Sequence, residues 1–345
     1  MRRAHATDVL LVSLGSTEGL RRADDELHDS LERAGARVAI ARPHPQEALP
    51  TMMLTDLAWA RAAREAAERL IEQQSIAPAR SIIYSTTTAA LLWKHPGAIR
   101  FDATAAGNRR GRHGLWQRPL ERRRLRQASL LLPWSEGAIE ELPQAAVGEG
   151  TLVLPVPVEP SGLPSPERDV AAITYAANPS KKGLDRVLAA WRALRSERAA
   201  DGGEELLVAG VSAELLHDTG LLSPQEPGVR VLGALVPDEF RALLRRARVF
   251  VCAPRREDYG IAQLEALADG CQLVTTEAPG PYAALPLARE LDPRLVGDDL
   301  ASALRVALDE PLPDYAQRAL AALVPFSRAA ADRIVAQQLL PRLLA

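Results

Sequence analysis

Short runs of apolar residues alternate with longer stretches in which apolar side chains recur every three or four positions. In the first half, DVLLVSL (from Asp8) leads through GSTEG into a helical segment that reaches about Arg33. RVAIAR follows, then a helix predicted from about Leu57 to Gln74, then SIIYST, AIRFDA and ASLLLPW. These runs show little apolar–polar alternation, so each predicts a strand buried on both faces, as in a parallel sheet covered by helices. A second series begins at VAAITYAA (Val170) and continues through ELLVAG, VRVLGAL, VFVCAP and QLVTTEA, with helices between. No sequence repeat is visible, but the strand–helix alternation is written twice. The fold class expected is α/β, with two Rossmann-like, doubly wound domains.

Between the two series lies VLPVPVEPSGLPSPERD, where Pro155, Pro157, Pro160, Pro164 and Pro166 crowd together. Proline at that density continues neither a helix nor a central strand, so the stretch is a linker. Residues 1–158 are expected as the N-terminal domain and 159–326 as the C-terminal domain. Residues 327–345 form an apolar-periodic helix expected to pack back on the first domain. Ligands of open α/β sheets bind outside the carboxyl ends of the strands, so functional residues are sought in the loops that follow strands, around an interdomain cleft.

Composition narrows the classes without choosing among them. The chain has 345 residues, Lys+Arg 42 against Asp+Glu 44, a net charge of −2, 47% apolar and 4% aromatic residues. That balance excludes a bulk polyanion binder and a low-complexity chain, and makes the core aliphatic. Lys94, Lys181 and Lys182 are the only lysines. In so arginine-rich a chain an Arg weighs less as a signal than a Lys. Cys252 and Cys271 lack disulfide-scaffold or metal spacing and read as reduced core residues. The apolar stretch after Asp8 is too short for a signal peptide, and no run approaches a membrane span. The expected location is cytoplasmic.

The sharpest chemical feature is RREDYGIAQLEALADG. Glu257 follows the strand VFVCAP, Gly260 stands where a helix begins near Tyr259, and Glu265 lies about a turn inside it. The free amides of that helix start suit a diphosphate, and Glu265 suits a ribose diol. The plainer alternative is a helix-capping Glu257 and a surface-paired Glu265. AANPSKKG follows the strand VAAITYA and gathers two of the three lysines, Lys181 and Lys182, where the loop leads into the next helix. It reads either as a phosphate contact or as a solvated turn. GSTEG, with Gly15 and Ser16 after the first strand, either lets backbone approach a ligand or makes a tight turn. The run Asn108 to Arg126 packs eight arginines with His113 and Trp116. It reads as a contact for anionic lipid or a phosphorylated acceptor, or as a solvated helix face. Ser135 reads as a helix N-cap, outside any hydrolase elbow, and the histidines show no metal-ligand spacing.

At Glu257 to Glu265 the chain resembles retaining GT-B glycosyltransferases of the group 1, or family 4, type. EDYGIAQLEALADG looks like that family's pair of glutamates eight positions apart, running on into the strand QLVTT. The KKG after a strand, the proline linker and VRVLGALVPDEFRALLRRARVFV fall in the same order. The likeness is specific from about Ala171 to Thr276, weaker from about Ser129 to Pro160, and faint before that. The resemblance implies transfer of a sugar from a nucleotide-sugar with retained anomeric configuration and no obligatory metal or cofactor, UDP- or GDP-sugar being the expected donor. By position it assigns Glu265 to the ribose hydroxyls, Glu257 to the donor sugar and Lys182 to the leaving diphosphate. The amides of Tyr259, Gly260 and Ile261 would lie along sugar and diphosphate, and Gly233 to Leu235 along the base. Two departures stand out. Ala177 occupies the place of a family arginine, for which Arg255 or Arg256 would have to compensate, and Asp102 stands nearest to a family histidine.

The expectation is a GT-B glycosyltransferase acting on a lipid-linked or envelope glycan acceptor, with peripheral contact to the inner face of the membrane through the Asn108–Arg126 run and no nucleic-acid partner. Three alternatives keep a related fold. They are a degenerate domain acting as a scaffold, motivated by Ala177 and the missing histidine, a sugar-nucleotide epimerase, and a phosphorylase. A periplasmic-type binding protein fits Lys181, Lys182 and Glu265 less well.

Overall fold

Val9 and Leu11 point to one face of a sheet and Leu10 and Val12 to the other, and all four are buried. A strand that buries both faces needs helices above and below, and the chain supplies them. The computed structural model describes residues 7–73, 79–109, 111–142, 150–198 and 203–345. They divide into two compact units, Met1–Pro157 with Pro325–Ala345, and Val158–Val324.

The first unit holds β1 (Val9–Val12), α1 (Glu18–Arg33), β2 (Val38–Ala41), α2 (Met52–Gln73), β3 (Ser81–Tyr84), α3 (Thr87–Ala90) and β4 (Ala98–Phe101). It continues through α4 (Ala105–Asn108), a 3-10 turn at Gly111–Gly114, α5 (Gln117–Gln127), β5 (Leu131–Pro133) and α6 (Glu136–Glu140). Its strands are parallel in the order β2-β1-β3-β4-β5. On one face Leu10, Val12, Tyr84 and Phe101 meet Ala63, Ala66 and Leu125 from α2 and α5. On the other, Val9, Leu11, Ile83 and Leu132 meet Leu27 and Leu31 of α1 together with Val335, Leu339 and Leu343 from the chain's end. That end runs as α15 (Arg328–Ile334), a π turn at Val335–Leu339 and α16 (Leu340–Leu344). Asp332 fastens it to α1, accepting from Arg33 Nε at 2.9 Å and Ser30 Oγ at 2.5 Å.

The second unit holds β6 (Val170–Tyr175), α7 (Pro179–Lys182), α8 (Leu184–Ser196), β7 (Leu206–Ala209), α9 (Ala213–Asp218), β8 (Val229–Gly233) and α10 (Pro237–Arg246). Next come β9 (Ala247–Cys252), α11 (Ile261–Ala268), β10 (Gln272–Thr275), α12 (Ala284–Leu291), α13 (Leu300–Asp309) and α14 (Tyr315–Ala322). All five strands are parallel, in the order β10-β9-β6-β7-β8. Chain order reverses between β6 and β9, so the loops after these two strands diverge and leave a crevice at their carboxyl ends. In the first unit the same reversal falls between β1 and β3.

The structure departs from expectation in a few elements. The second helix begins at Met52 rather than near Leu57, since Met52 and Leu54 are exposed and its first turn lacks an inward apolar stripe. Lys181 and Lys182 do not stand in a loop leading into a helix. They end the short helix α7, which Asn178 caps by accepting from Lys181 N at 3.0 Å. The helix after Tyr259 starts at Ile261, with Gly260 as its N-cap. Cys252 and Cys271 are buried free thiols, and Ser135 caps α6 by accepting from Ala138 N. Among the described residues no helix is long and apolar enough to cross a membrane.

Candidate functional site

The two loops flanking the second unit's reversal are stitched together. Lys182 Nζ lies 2.7 Å from Glu257 Oε2, which also accepts from Gln263 Nε2 at 3.0 Å. The side chain of Glu257 is 10% exposed and that of Lys182 27%, so the carboxylate is the more buried partner and the cation lies nearer solvent. Backbone bonds fix the loop on both sides, Arg255 N to Lys181 O at 3.0 Å and Glu257 N to Pro279 O at 3.1 Å.

Glycine makes these approaches possible. Gly183 ends α7 at φ +62°, and a Cβ there would stand 1.8 Å from the Ala253 carbonyl oxygen. Gly260 lies at φ +92°, its missing side chain replaced by the ring of Tyr282, 2.8 Å from where a Cβ would be. Tyr282 is buried, with its hydroxyl 3.0 Å from Thr275 Oγ1, and burial pushes its phenol well above the ordinary range. The start of α11 is thus held against a fixed wall, and Tyr259 O accepts from Ala283 N at 3.0 Å.

Glu265 lies a turn into α11 with its side chain 6% exposed. Arg241 of α10 reaches it at 3.4 Å through Nη1, while Arg241 Nε and Nη2 bond Asp269 at 2.6 and 3.0 Å. Glu265 pairs with a buried arginine rather than at the surface, and Gly260, not Glu257, is the N-cap of α11; both carboxylates are buried. At the end of β8, Gly233 adopts φ +75° and accepts from Gly210 N at 2.7 Å, and Leu235 is half-buried in the loop that follows.

Arg255 and Arg256 carry their own counter-charges. Arg255 Nη2 bonds Asp185 at 2.7 Å and Arg256 Nε bonds Asp258 at 2.7 Å. An open cavity of about 510 Å³ is lined by Ala177, Asn178, Ser180, Asp185, Leu215 and Arg255. The guanidinium of Arg255 and the small side chain of Ala177 therefore share one space.

The remaining candidates belong to the first unit. Gly15 stands at φ +58° after β1, its carbonyl accepting from Arg21 Nη1 at 2.9 Å, and Ser16 is half-buried beside it. Leu14 N donates to Ser85 Oγ at 2.9 Å, so the loops after β1 and β3 are joined. Asp102 follows β4 and turns back to accept from Ala103 N at 2.8 Å. The arginine run divides in two. Arg109 pairs with buried Asp56 at 2.7 Å, Arg118 bonds the Gly111 and Gly114 carbonyls, and Arg124 bonds the Leu91 carbonyl and lies over Trp93. Arg112, Arg122, Arg123 and Arg126 are exposed. Arg110 and the side chain of His113 lie outside the described residues. On α1, half-buried His28 and exposed Asp29 and Glu32 bring one ligand atom from each within 4.8 Å.

Sequence reading missed Gln263, Arg241, Asp269 and Tyr282. Gln263 is the one with a visible signal, since it lies between the two glutamates on the buried side of a short helix.

Residues 169–310 match the family model described as Glycosyl transferases group 1, which covers the stretch where the resemblance was most specific. A search of curated proteins finds no match. Among solved structures the chain is similar to WaaG, a glycosyltransferase involved in lipopolysaccharide biosynthesis, at 16% identity and TM-score 0.65 over 94% of this chain and 98% of that one. It is similar to an α,α-trehalose-phosphate synthase (UDP-forming) from Burkholderia xenovorans in complex with glucose-6-phosphate, at 15% identity and TM-score 0.65 over 96% and 100%. A trehalose-6-phosphate synthase examined for glycosyl transfer with retention gives 13% identity and TM-score 0.64 over 94% and 97%. The fold is GT-B, two parallel α/β units of five strands each. The resemblance read at Glu257 to Glu265 falls inside the stretch that this family model matches.

Proposed function

We propose that this chain is a glycosyltransferase that takes a sugar from a nucleotide-sugar, a UDP- or GDP-sugar, and passes it to a hydroxyl acceptor with retention of configuration and without an obligatory metal. The observation that carries the reading is the Lys182–Glu257 pair at the reversal of the second sheet, with Glu265 a turn into the helix that starts beside it. The fold and the family match over the second unit support it, as do the UDP-forming and retaining activities of similar structures.

Breaking the bond between the sugar's anomeric carbon and the diphosphate leaves an oxocarbenium-like sugar and growing negative charge on the leaving group. Fixed positive groups lower that barrier. Lys182 and the amides at Gly260 and Ile261 supply them, with Arg255 drawn from Asp185 toward the space that Ala177 leaves open. Glu257, with Oε2 already engaged by Lys182 and Gln263, holds a hydroxyl of the donor sugar. Glu265 accepts from the ribose diol, and Gly233 to Leu235 line the base. The acceptor oxygen bonds to the anomeric carbon as the phosphate oxygen leaves, and the acceptor's proton goes to that phosphate. The exposed arginines of α5 hold an anionic lipid surface that would present a lipid-linked or envelope glycan.

Calorimetric titration with UDP, GDP, ADP and TDP, on wild type and Glu265→Ala, tests the donor half. The expected result is one nucleotide bound tightly and weakened at least tenfold in the variant. Binding of none would turn the Ala177 departure into the deciding fact and favour the scaffold reading.

A further inference from the structure

Arg241 is buried between two carboxylates, those of Glu265 and Asp269. Glu265 and Asp269 stand one turn apart on the same side of α11, where like charges repel. Asp269 is fully buried and takes the guanidinium's fork, Nε on Oδ2 at 2.6 Å and Nη2 on Oδ1 at 3.0 Å. It also accepts from Ser161 N at 2.8 Å and from Ser161 Oγ at 2.9 Å. Arg241 Nη2 reaches the Glu159 carbonyl at 2.7 Å as well. With that side of the guanidinium occupied, Nη1 is the nitrogen turned to Glu265 Oε1, at a longer 3.4 Å.

We propose that Arg241 is the positioning residue of the donor site, keeping Glu265 oriented so that it can accept both hydroxyls of a ribose. The inference rests on the nucleotide-sugar reading of the same site. A planar fork is required, because one cation must satisfy Asp269 bidentately and still present a third N–H along a fixed direction. A lysine at this position would neutralise charge without that geometry. Asp269 anchors the arginine, and Glu159 and Ser161 anchor both from the stretch that enters the second unit. The long, single bond to Glu265 suits a carboxylate that must still turn its lone pairs to a ligand.

The readout is discrimination between a ribonucleotide and its 2′-deoxy counterpart, which a merely structural residue would not alter selectively. UDP, GDP and ADP are titrated into wild type, and the one that binds is compared with its 2′-deoxy analogue. In Arg241→Lys and Arg241→Met the preference for the ribo form is expected to fall about tenfold or more, while affinity for the 2′-deoxy form changes little. If Arg241→Met fails to fold, Arg241→Lys carries the comparison. A preference unchanged in the folded variant overturns the role of Arg241 while leaving the donor site standing. Failure of wild type to bind any of the three overturns both.

Discussion

Lys182 Nζ and Glu257 Oε2 meet at 2.7 Å although 75 residues separate them in the chain. The contact exists because β6 and β9 are parallel neighbours in the sheet, so the loops that follow them leave it at the same end. It places a cation where a departing diphosphate would need one. In Lys182→Ala, nucleoside diphosphate affinity is expected to fall roughly tenfold to a hundredfold, the worth of a charge-assisted bond. Affinity for the nucleoside alone is expected to hold, because Glu257 stays anchored by Gln263. Parallel titrations with UDP and uridine, or the pair of whichever base binds, measure this. Equal losses for both would remove Lys182 from the diphosphate.

Gly183 is the hinge of that geometry. Its φ of +62° disfavours any side chain, and the Ala253 carbonyl 1.8 Å from a would-be Cβ leaves no room for one. Gly183→Ala is expected to destabilise the protein by about 2 kcal/mol or more. Thermal melting reads the loss, and a melting temperature within a degree or so of wild type would contradict the packing described.

Much of this was legible in the chain. The ten strands are read correctly because parallel strands buried on both faces are apolar throughout, and the loops after VAAITYA and VFVCAP bring Lys182 and Glu257 together where the fold rule looks for a site. Asn178, Pro179 and Gly183 even spell a helix with cap, first-turn proline and left-handed end, yet four residues are too few for periodicity to show it. Arg241 was illegible for another reason. It adjoins the apolar stripe of Phe240 and Leu244 in a chain where arginine is abundant, so it looks like one more solvated charge. Only the partners brought from α11 and the linker reveal it as buried. The start of α2 was missed because Met52 and Leu54 face outward.

Glu121 gives a pH dependence of known sign. Burial pushes its carboxyl from 4.5 up to about 6, against hydrogen bonds from Thr87 and from Ala105 N. Between those values the folded chain holds a proton that the unfolded chain has released. Stability from this group therefore rises as pH falls from about 6 to 4.5, by about 2 kcal/mol. Glu121→Gln is expected to remove that rise. Urea unfolding of both proteins across the window gives a difference curve that slopes there and is flat above it. Parallel curves would show that burial does not raise the Glu121 carboxyl above its unfolded value.

The arginine run offers a separation of roles that sequence alone left open. Pro119, Arg122, Arg123 and Arg126 lie on the exposed side of α5, and Gln117, Glu121 and Leu125 on the buried side. Arg109 instead neutralises Asp56, a buried carboxylate 2.7 Å away. Arg109→Ala is therefore expected to lower stability, since it leaves Asp56 buried without its guanidinium. Arg122→Gln with Arg123→Gln is expected to leave stability within about 0.5 kcal/mol. Each basic residue near an anionic surface contributes about 1 kcal/mol, so the double variant should bind phosphatidylglycerol vesicles roughly thirtyfold more weakly at low salt. Co-sedimentation over a salt series measures both proteins. Wild-type binding that is absent at low salt, or that the double variant retains in full, would show that this face of α5 is solvated and nothing more.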